Sequence, residues 1–436
     1  MRVLFSMTRY AEFICLLLVS LSTAFVSPPA SATDEVPGPP QRRPIALTNG
    51  VVHPISSPAT DNASVVFEAG KITAVGRGIR IPAGAEVIDL QGRHVYPSLI
   101  EARSQIGLKE VSAVRASVDT SETGSLNPNV RANVSFNPDS EVIPVTRANG
   151  VLVALTAPSG GRISGQASVM QLEGWTYEEM TVLPSAGMIV DWPSPPSSGV
   201  SPGLQQLRKL FDDARAYRAA RRANDQNHPF DIRLESLLPV LDTDIPVIAT
   251  ANDAREIQAA VAFSAEQNIR LIIFGGHDAE ECAELLRKHG VPVIIDSVHR
   301  PPMRRYEAYD AAYTLPARLQ RAGVAFCISG YRRDATWNAR NLPYHAATAV
   351  AHGLSHDDAL RSVTMSPAQI LGIDDRLGSL EPGRDATLFI SDGDPLETST
   401  NIEMAFVQGR RVSLTSRHTR LNDKYRQKYQ QQAANP

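Results

Sequence analysis

Cysteine is nearly missing: three residues in 436, of which Cys15 falls in the N-terminal leader. The other two, Cys282 and Cys327, are too few to be a disulfide scaffold for a chain of this length. Neither has the partner spacing of a zinc site or a redox motif. Cys282 sits in a helical pattern and Cys327 in a strand, so both read as buried, unpaired thiols. A charge excess of one sign is lacking too. The formal net charge of −3 gives no reason to expect nucleic acid or an acidic membrane surface as a partner. Beyond the N-terminus no stretch is apolar enough to cross a bilayer. There is no G-x-S-x-G elbow for a serine nucleophile. The Gly-rich run Pro158-Ser159-Gly160-Gly161-Arg162-Ile163-Ser164-Gly165-Gln166 lacks the Lys-Ser/Thr ending of a phosphate loop, and reads as a plain loop at the strand ends.

Hydrophobic content of 43% and charged content of 20% fit an ordinary globular protein, long enough for a large core or two domains. The N-terminus reads as a targeting segment. Arg2 and Arg9 form a basic start, residues 13–26 are mainly apolar, and Ala30-Ser31-Ala32 fits the small-x-small cleavage rule. The expectation is a signal peptide over residues 1–32, a mature chain from Thr33, and a periplasmic or secreted location. Residues 33–44, rich in Pro and charge, read as a linker.

From Ile45 the pattern turns to short strands. Ile45-Ala46-Leu47-Thr48 leads to Asn49-Gly50, which predicts a tight turn. Ser64-Val65-Val66-Phe67-Glu68 and Lys71-Ile72-Thr73-Ala74-Val75 flank Ala69-Gly70 as a hairpin, and Glu86-Val87-Ile88-Asp89-Leu90 adds a strand. The far end repeats this style with Ala386-Thr387-Leu388-Phe389-Ile390, Glu403-Met404-Ala405-Phe406-Val407 and Arg410-Arg411-Val412. Residues 45–95 and 381–416 together predict one small β-sandwich built from both chain ends. Residues 417–436 form a basic, Gln-rich tail, read as a frayed helix.

The middle, residues 96–380, alternates apolar strands with helices, the signature of an α/β architecture. Strands are expected at Leu99, Val151-Leu152-Val153-Ala154-Leu155, Met188-Ile189-Val190, Pro246-Val247-Ile248-Ala249, Leu271-Ile272-Ile273-Phe274, Val293-Ile294-Ile295 and Val324-Ala325-Phe326-Cys327-Ile328. They are apolar without alternation, as strands buried on both faces are. Helices are expected over residues 254–267, 279–288 and 315–322. The count is one strand short of eight, and the irregular segment 157–239 is where the missing one can hide. The fold class is α/β, a (β/α)8 TIM-type barrel with the β-sandwich appended.

Four stretches carry a family likeness. Tyr96-Pro97-Ser98-Leu99-Ile100-Glu101-Ala102-Arg103-Ser104-Gln105-Ile106-Gly107 looks like a first barrel strand. Leu371-Gly372-Ile373-Asp374-Asp375-Arg376-Leu377-Gly378-Ser379-Leu380-Glu381-Pro382-Gly383-Arg384-Asp385-Ala386 is close to a G-x-L-x-x-G-x-x-A-D segment. Ser391-Asp392-Gly393-Asp394-Pro395-Leu396 is equally typical, as is Gly353-Leu354-Ser355 with Ala359-Leu360, Thr364 and Pro367-Ala368. Over most of residues 45–414 the chain resembles the metal-dependent amidohydrolase superfamily, in the branch that contains imidazolonepropionase. The resemblance implies hydrolysis of non-peptide C–N bonds. It also implies one or two metals held by two His on the first strand, His on the fifth and sixth strands and Asp on the eighth. Metal-bound water would be the nucleophile.

This sequence departs from that pattern at the ligands themselves. Arg103 and Gln105 stand at the two first-strand positions, Thr250 at the fifth-strand position, and Gly330, after Ser329, at the eighth. Arginine is always protonated and has no lone pair to donate. Asp334 follows in the loop at the wrong spacing, and no Lys lies at a strand end to bridge two metals. The reading is an exported amidohydrolase-like protein impaired in metal-dependent catalysis, with no cofactor expected and catalytic residues unassigned. It would act by binding a small molecule or partner through Arg103, Arg162, His277, His299 and Arg300, with Arg304 and Arg305 close by. Arg103 would either neutralise a buried carboxylate such as Glu101 or clamp a ligand carboxylate or phosphate. Asn338, Arg340 and Asn341 are expected on the same face. The alternative is an active, divergent C–N hydrolase with one divalent metal, such as zinc, on a site rebuilt from His277, Asp296 and His299. His289, His345, His352, His356 and His418 read as structural or solvated, and a homo-oligomer stays open.

Overall fold

Two eight-stranded sheets organise the chain, and Ser98 is the step from one to the other. The structure is a computed structural model that describes residues 36–196, 199, 201–223, 229–331 and 336–434. The expected signal peptide and Asp334 lie outside the described residues.

The first sheet draws on both chain ends. Its strands are β1 (Ile45–Val52), β2 (Thr60–Glu68), β3 (Lys71–Gly76), β4 (Glu86–Asp89) and β5 (His94–Pro97) from the N-terminal side. The barrel strands β6 to β13, given below, intervene, and β14 (Leu388–Ser391), β15 (Ile402–Val407) and β16 (Arg410–Val412) complete the sheet. The order is β16-β15-β14-β5-β1-β2-β3, with β4 on β1. The two ends meet where β14 runs antiparallel to β5, Phe389 opposite Tyr96. Leu47, Val65, Phe67, Leu388 and Phe406 pack its core, the Phe67 and Phe406 rings edge to face at 5.1 Å.

Asn49-Gly50 makes no turn, contrary to expectation. Asn49 takes the left-handed conformation (φ 57°) inside a continuous β1, where the register against β2 slips. Pairing with β2 on one side and β4 and β5 on the other carries the strand through the site of the turn signal.

The second sheet is the nearly closed barrel: β6 (Leu99–Ser104), β7 (Val151–Thr156), β8 (Ile163–Gln171), β9 (Thr181–Asp191), β10 (Val247–Ala251), β11 (Leu271–Gly275), β12 (Val293–Ile295) and β13 (Phe326–Ile328), in that spatial order. Ile100, Val153, Ile248, Ile272 and Ile294 join one core cluster, while their neighbours Leu99, Leu152, Val247, Leu271 and Val293 join another. That double burial explains runs with no polar alternation. The strand missing from the sequence count is β8. It is buried along its whole length and antiparallel to both neighbours, so β7, β8 and β9 form a meander without intervening barrel helices. Its Ser and Gln residues hid it. They are buried with partners: Gln166 Nε2 donates to the Pro128 carbonyl at 3.0 Å and Ser168 Oγ to the Pro184 carbonyl at 2.7 Å.

The helix Ala254–Gln267 occupies the expected residues because its ends are locally encoded. Asp253 and Glu256 form a capping box, and Asn268 closes it in the left-handed conformation. The expected helix 279–288 is a 3-10 turn, Ala279–Cys282, followed by an α-helix, Ala283–His289. The next begins earlier than expected, at Ala311, and ends at Arg321. The tail is a continuous helix, Arg417–Ala434. Cys282 and Cys327 are both free and buried. Among the described residues no helix is long and apolar enough to cross a membrane.

Candidate active-site cavity

A cavity of about 670 Å³ opens at the C-terminal ends of the barrel strands. That face carries the chemistry in barrels of this kind, because the connecting loops converge there. Arg103, Asp191, Thr250, His277, Asp296 and Arg300 line it, from the ends of five strands or the loops after them, the last two both from the segment after β12. The structure thus gathers four candidates that lie far apart in sequence, Arg103, Thr250, His277 and Arg300, with Asp296.

Arg103 on β6 is the deepest cation, 5% exposed. Its guanidinium lies over the Phe274 ring at 4.8 Å and the Tyr331 ring at 5.6 Å. Nε and Nη1 are buried with no acceptor among the described residues. Burial pushes its pKa down, against the opposing pull of Tyr331 and Asp191. Glu101 is not its counter-charge. That fully buried carboxylate accepts from Ser329 Oγ, from Gly330 N at 2.9 Å and from the Arg103 backbone N at 3.1 Å. Burial lifts its pKa to about 7, the three hydrogen bonds pulling the other way. Its bonds tie β6 to the chain just past β13, the two barrel strands that no ladder joins.

The other positions of the expected metal set have structural roles. Gln105 donates to Ser159 Oγ at 3.1 Å, fastening β6 to the Gly160-Gly161 loop, which borders the cavity. Thr250 is half-buried at the rim. At Gly330 a Cβ would stand 3.1 Å from Glu101 Oε2 and 3.6 Å from the His345 ring.

His277 and Asp296 are paired, Nε2 to Oδ1 at 3.0 Å, and the Ser297 backbone N donates to the same oxygen at 2.8 Å. His299 does not join them. Its Nε2 meets Thr348 Oγ1 at 2.8 Å and its ring stacks on His345 at 4.1 Å, against the helix Leu342–Ala351. Arg300 faces the cavity but is paired with Glu307 at 3.0 Å. Arg162 reaches the backbone carbonyl of Asp191 and does not line the cavity. Arg304 binds Asp278 at 2.7 Å and Asp253 at 3.3 Å, which raises its pKa and ties down the segment after β12. Asn338, Arg340 and Asn341 lie in a 3-10 segment away from the cavity wall. Asp191 was missed in the sequence because it closes a strand read there as three residues, and only the β9 register places it beside Thr250.

Residues 278–412 match the amidohydrolase family model. An amidohydrolase from Thermotoga maritima shares the fold with a TM-score of 0.77 at 27% identity, over 85% of this chain and 99% of that one. The chain is thus similar to amidohydrolases, in sequence over residues 278–412 and in fold over 85% of its length. Among curated relatives, the chain is 25% identical over 392 residues to the amidohydrolase tasK of Hapsidospora irregularis, and 23% identical over 378 residues to adenine deaminase 1 of Latilactobacillus sakei. The matches take in 79% and 81% of this chain but only 39% and 55% of those proteins.

The residues present do not fit the metal the superfamily implies. A guanidinium has no lone pair, and the Gln105 amide is committed to Ser159. Gly330 offers no side chain. Among the described residues, no three His, Cys, Asp or Glu side chains converge as ligands.

Proposed function

We propose that this chain is an exported amidohydrolase-superfamily protein that binds a small carboxylate-bearing molecule on Arg103, with the ancestral metal-dependent hydrolysis of C–N bonds impaired. The observation that carries this is Arg103 itself, a buried cation with two N–H groups unmet in a 670 Å³ cavity. A buried donor without an acceptor costs about 1–3 kcal/mol, more when charged. The two aromatic rings offset only part of that, so an incoming carboxylate completes the site. Export rests on the leader: a basic start, an apolar run and Ala30-Ser31-Ala32.

The test is calorimetry of the mature protein with hexanoate, comparing wild type with Arg103→Met. Binding that falls about tenfold or more in the variant supports the reading. Equal binding by both sinks it. One observation favours the second reading, a divergent C–N hydrolase: the hydrogen-bonded His277–Asp296 pair in the same cavity. Elemental mass spectrometry tests it. One zinc per chain, lost in His277→Ala, is what that reading requires.

A further inference from the structure

The cavity is not simply cationic. Its second arginine, Arg300, is already neutralised by Glu307. Two carboxylates share the walls with Arg103. Asp296 is engaged by His277 and Ser297. Asp191 is different: it is exposed, and its carboxylate makes no hydrogen bond or ion pair among the described residues. Arg103 and Asp191 stand on β6 and β9, with β7 and β8 between them in the barrel order. The Asp191 charge is felt at the Arg103 guanidinium, yet the two do not touch.

Two unmet charges of opposite sign therefore face one space. A phosphate would gain Arg103 but be repelled by both carboxylates, since like charges on one cavity oppose its binding. A simple monocarboxylate would leave Asp191 unmet. We propose that the ligand is a zwitterion, an aminocarboxylate whose carboxylate sits on Arg103 and whose ammonium sits at Asp191. This deepens, and rests on, the reading of the mouth as a carboxylate site. Phe274 and Tyr331 hold the guanidinium, while Ile189 and Met303 add apolar surface to the same cavity. Thr250, opposite Asp191 in the β9–β10 register, places a hydroxyl beside the ammonium end.

The experiment is calorimetry of the mature chain with 4-aminobutyrate and 6-aminohexanoate, each against the carboxylate of equal length without the amine. In wild type the better aminocarboxylate binds about tenfold tighter than its partner, the scale of one close charge pair. Asp191→Asn removes that preference and keeps carboxylate binding, and Arg103→Met loses both. If the amine makes no difference in wild type, or the preference survives Asp191→Asn, the zwitterion proposal is overturned while the carboxylate site stands. If carboxylates bind Arg103→Met as well as wild type, or no probe binds at all, the site reading itself fails. Asp191 is exposed at a strand end, so its variant is expected to fold, and an unchanged urea midpoint verifies that.

Discussion

Gly330 N donates to Glu101 Oε2 at 2.9 Å, joining the chain beyond the last barrel strand to the first strand where no backbone ladder does. Burial of that carboxylate makes barrel closure sensitive to a proton. Glu101 ordinarily titrates near 4.5 and is lifted to about 7 by burial. The folded state therefore binds the proton more tightly than the unfolded chain. The contribution to stability is full below about 4.5 and is lost as pH rises through about 7. At ~1.4 kcal/mol per pKa unit, the span is on the order of 3 kcal/mol. Urea midpoints from pH 4.5 to 8 should fall in wild type more steeply than in Glu101→Gln. An identical slope in both would show that Glu101 does not titrate there.

Arg103→Met should stabilise the protein while removing ligand binding. The variant deletes two unmet, buried N–H groups and keeps an apolar stem against Phe274 and Tyr331. The expected gain is about 1–2 kcal/mol, the relieved desolvation less the lost cation–π attraction. A denaturant midpoint below that of wild type would mean that Arg103 has an internal partner.

Placing histidines at positions 103 and 105 should not create a metal site. In Arg103→His/Gln105→His the fifth- and eighth-strand positions remain Thr250 and Gly330, and residue 105 faces Ser159. Elemental analysis after zinc exposure should find well under one ion per chain. A full equivalent would show that the first-strand positions alone stand between this cavity and a metal.

Arg304→Ala should loosen the segment after β12, whose Pro301 and Met303 border the cavity. Its bonds to Asp278 and Asp253 are partly exposed, so the cost is about 0.5–1 kcal/mol and shrinks with salt. Hydrogen exchange should quicken over residues 297–310. Exchange unchanged there would assign the anchoring to Arg300–Glu307 instead.

Mature protein recovered from an expressing cell should begin at Thr33, as N-terminal sequencing would show. A chain that keeps Arg2 and Arg9 would remove the basis for export.

Much of the barrel was legible in the sequence because its signals are local. Strands buried on both faces must be apolar throughout, and the Asp253/Glu256 box marks a helix start within four residues. That Arg103 and Gly330 offer a metal no side-chain lone pair was legible for the same reason: what a side chain can ligate is a property of the residue, whatever surrounds it. Tertiary structure decided what depends on a distant partner. Pairing on both edges made β8 a strand despite its Ser and Gln residues, and drew Asn49-Gly50 into β1 as an irregularity. Side-chain direction turned His299 toward Thr348 and left His277 with Asp296. That Arg103 is unmet, with Asp191 unmet on the same cavity, is a relation between β6 and β9, and no property of either segment alone could set it.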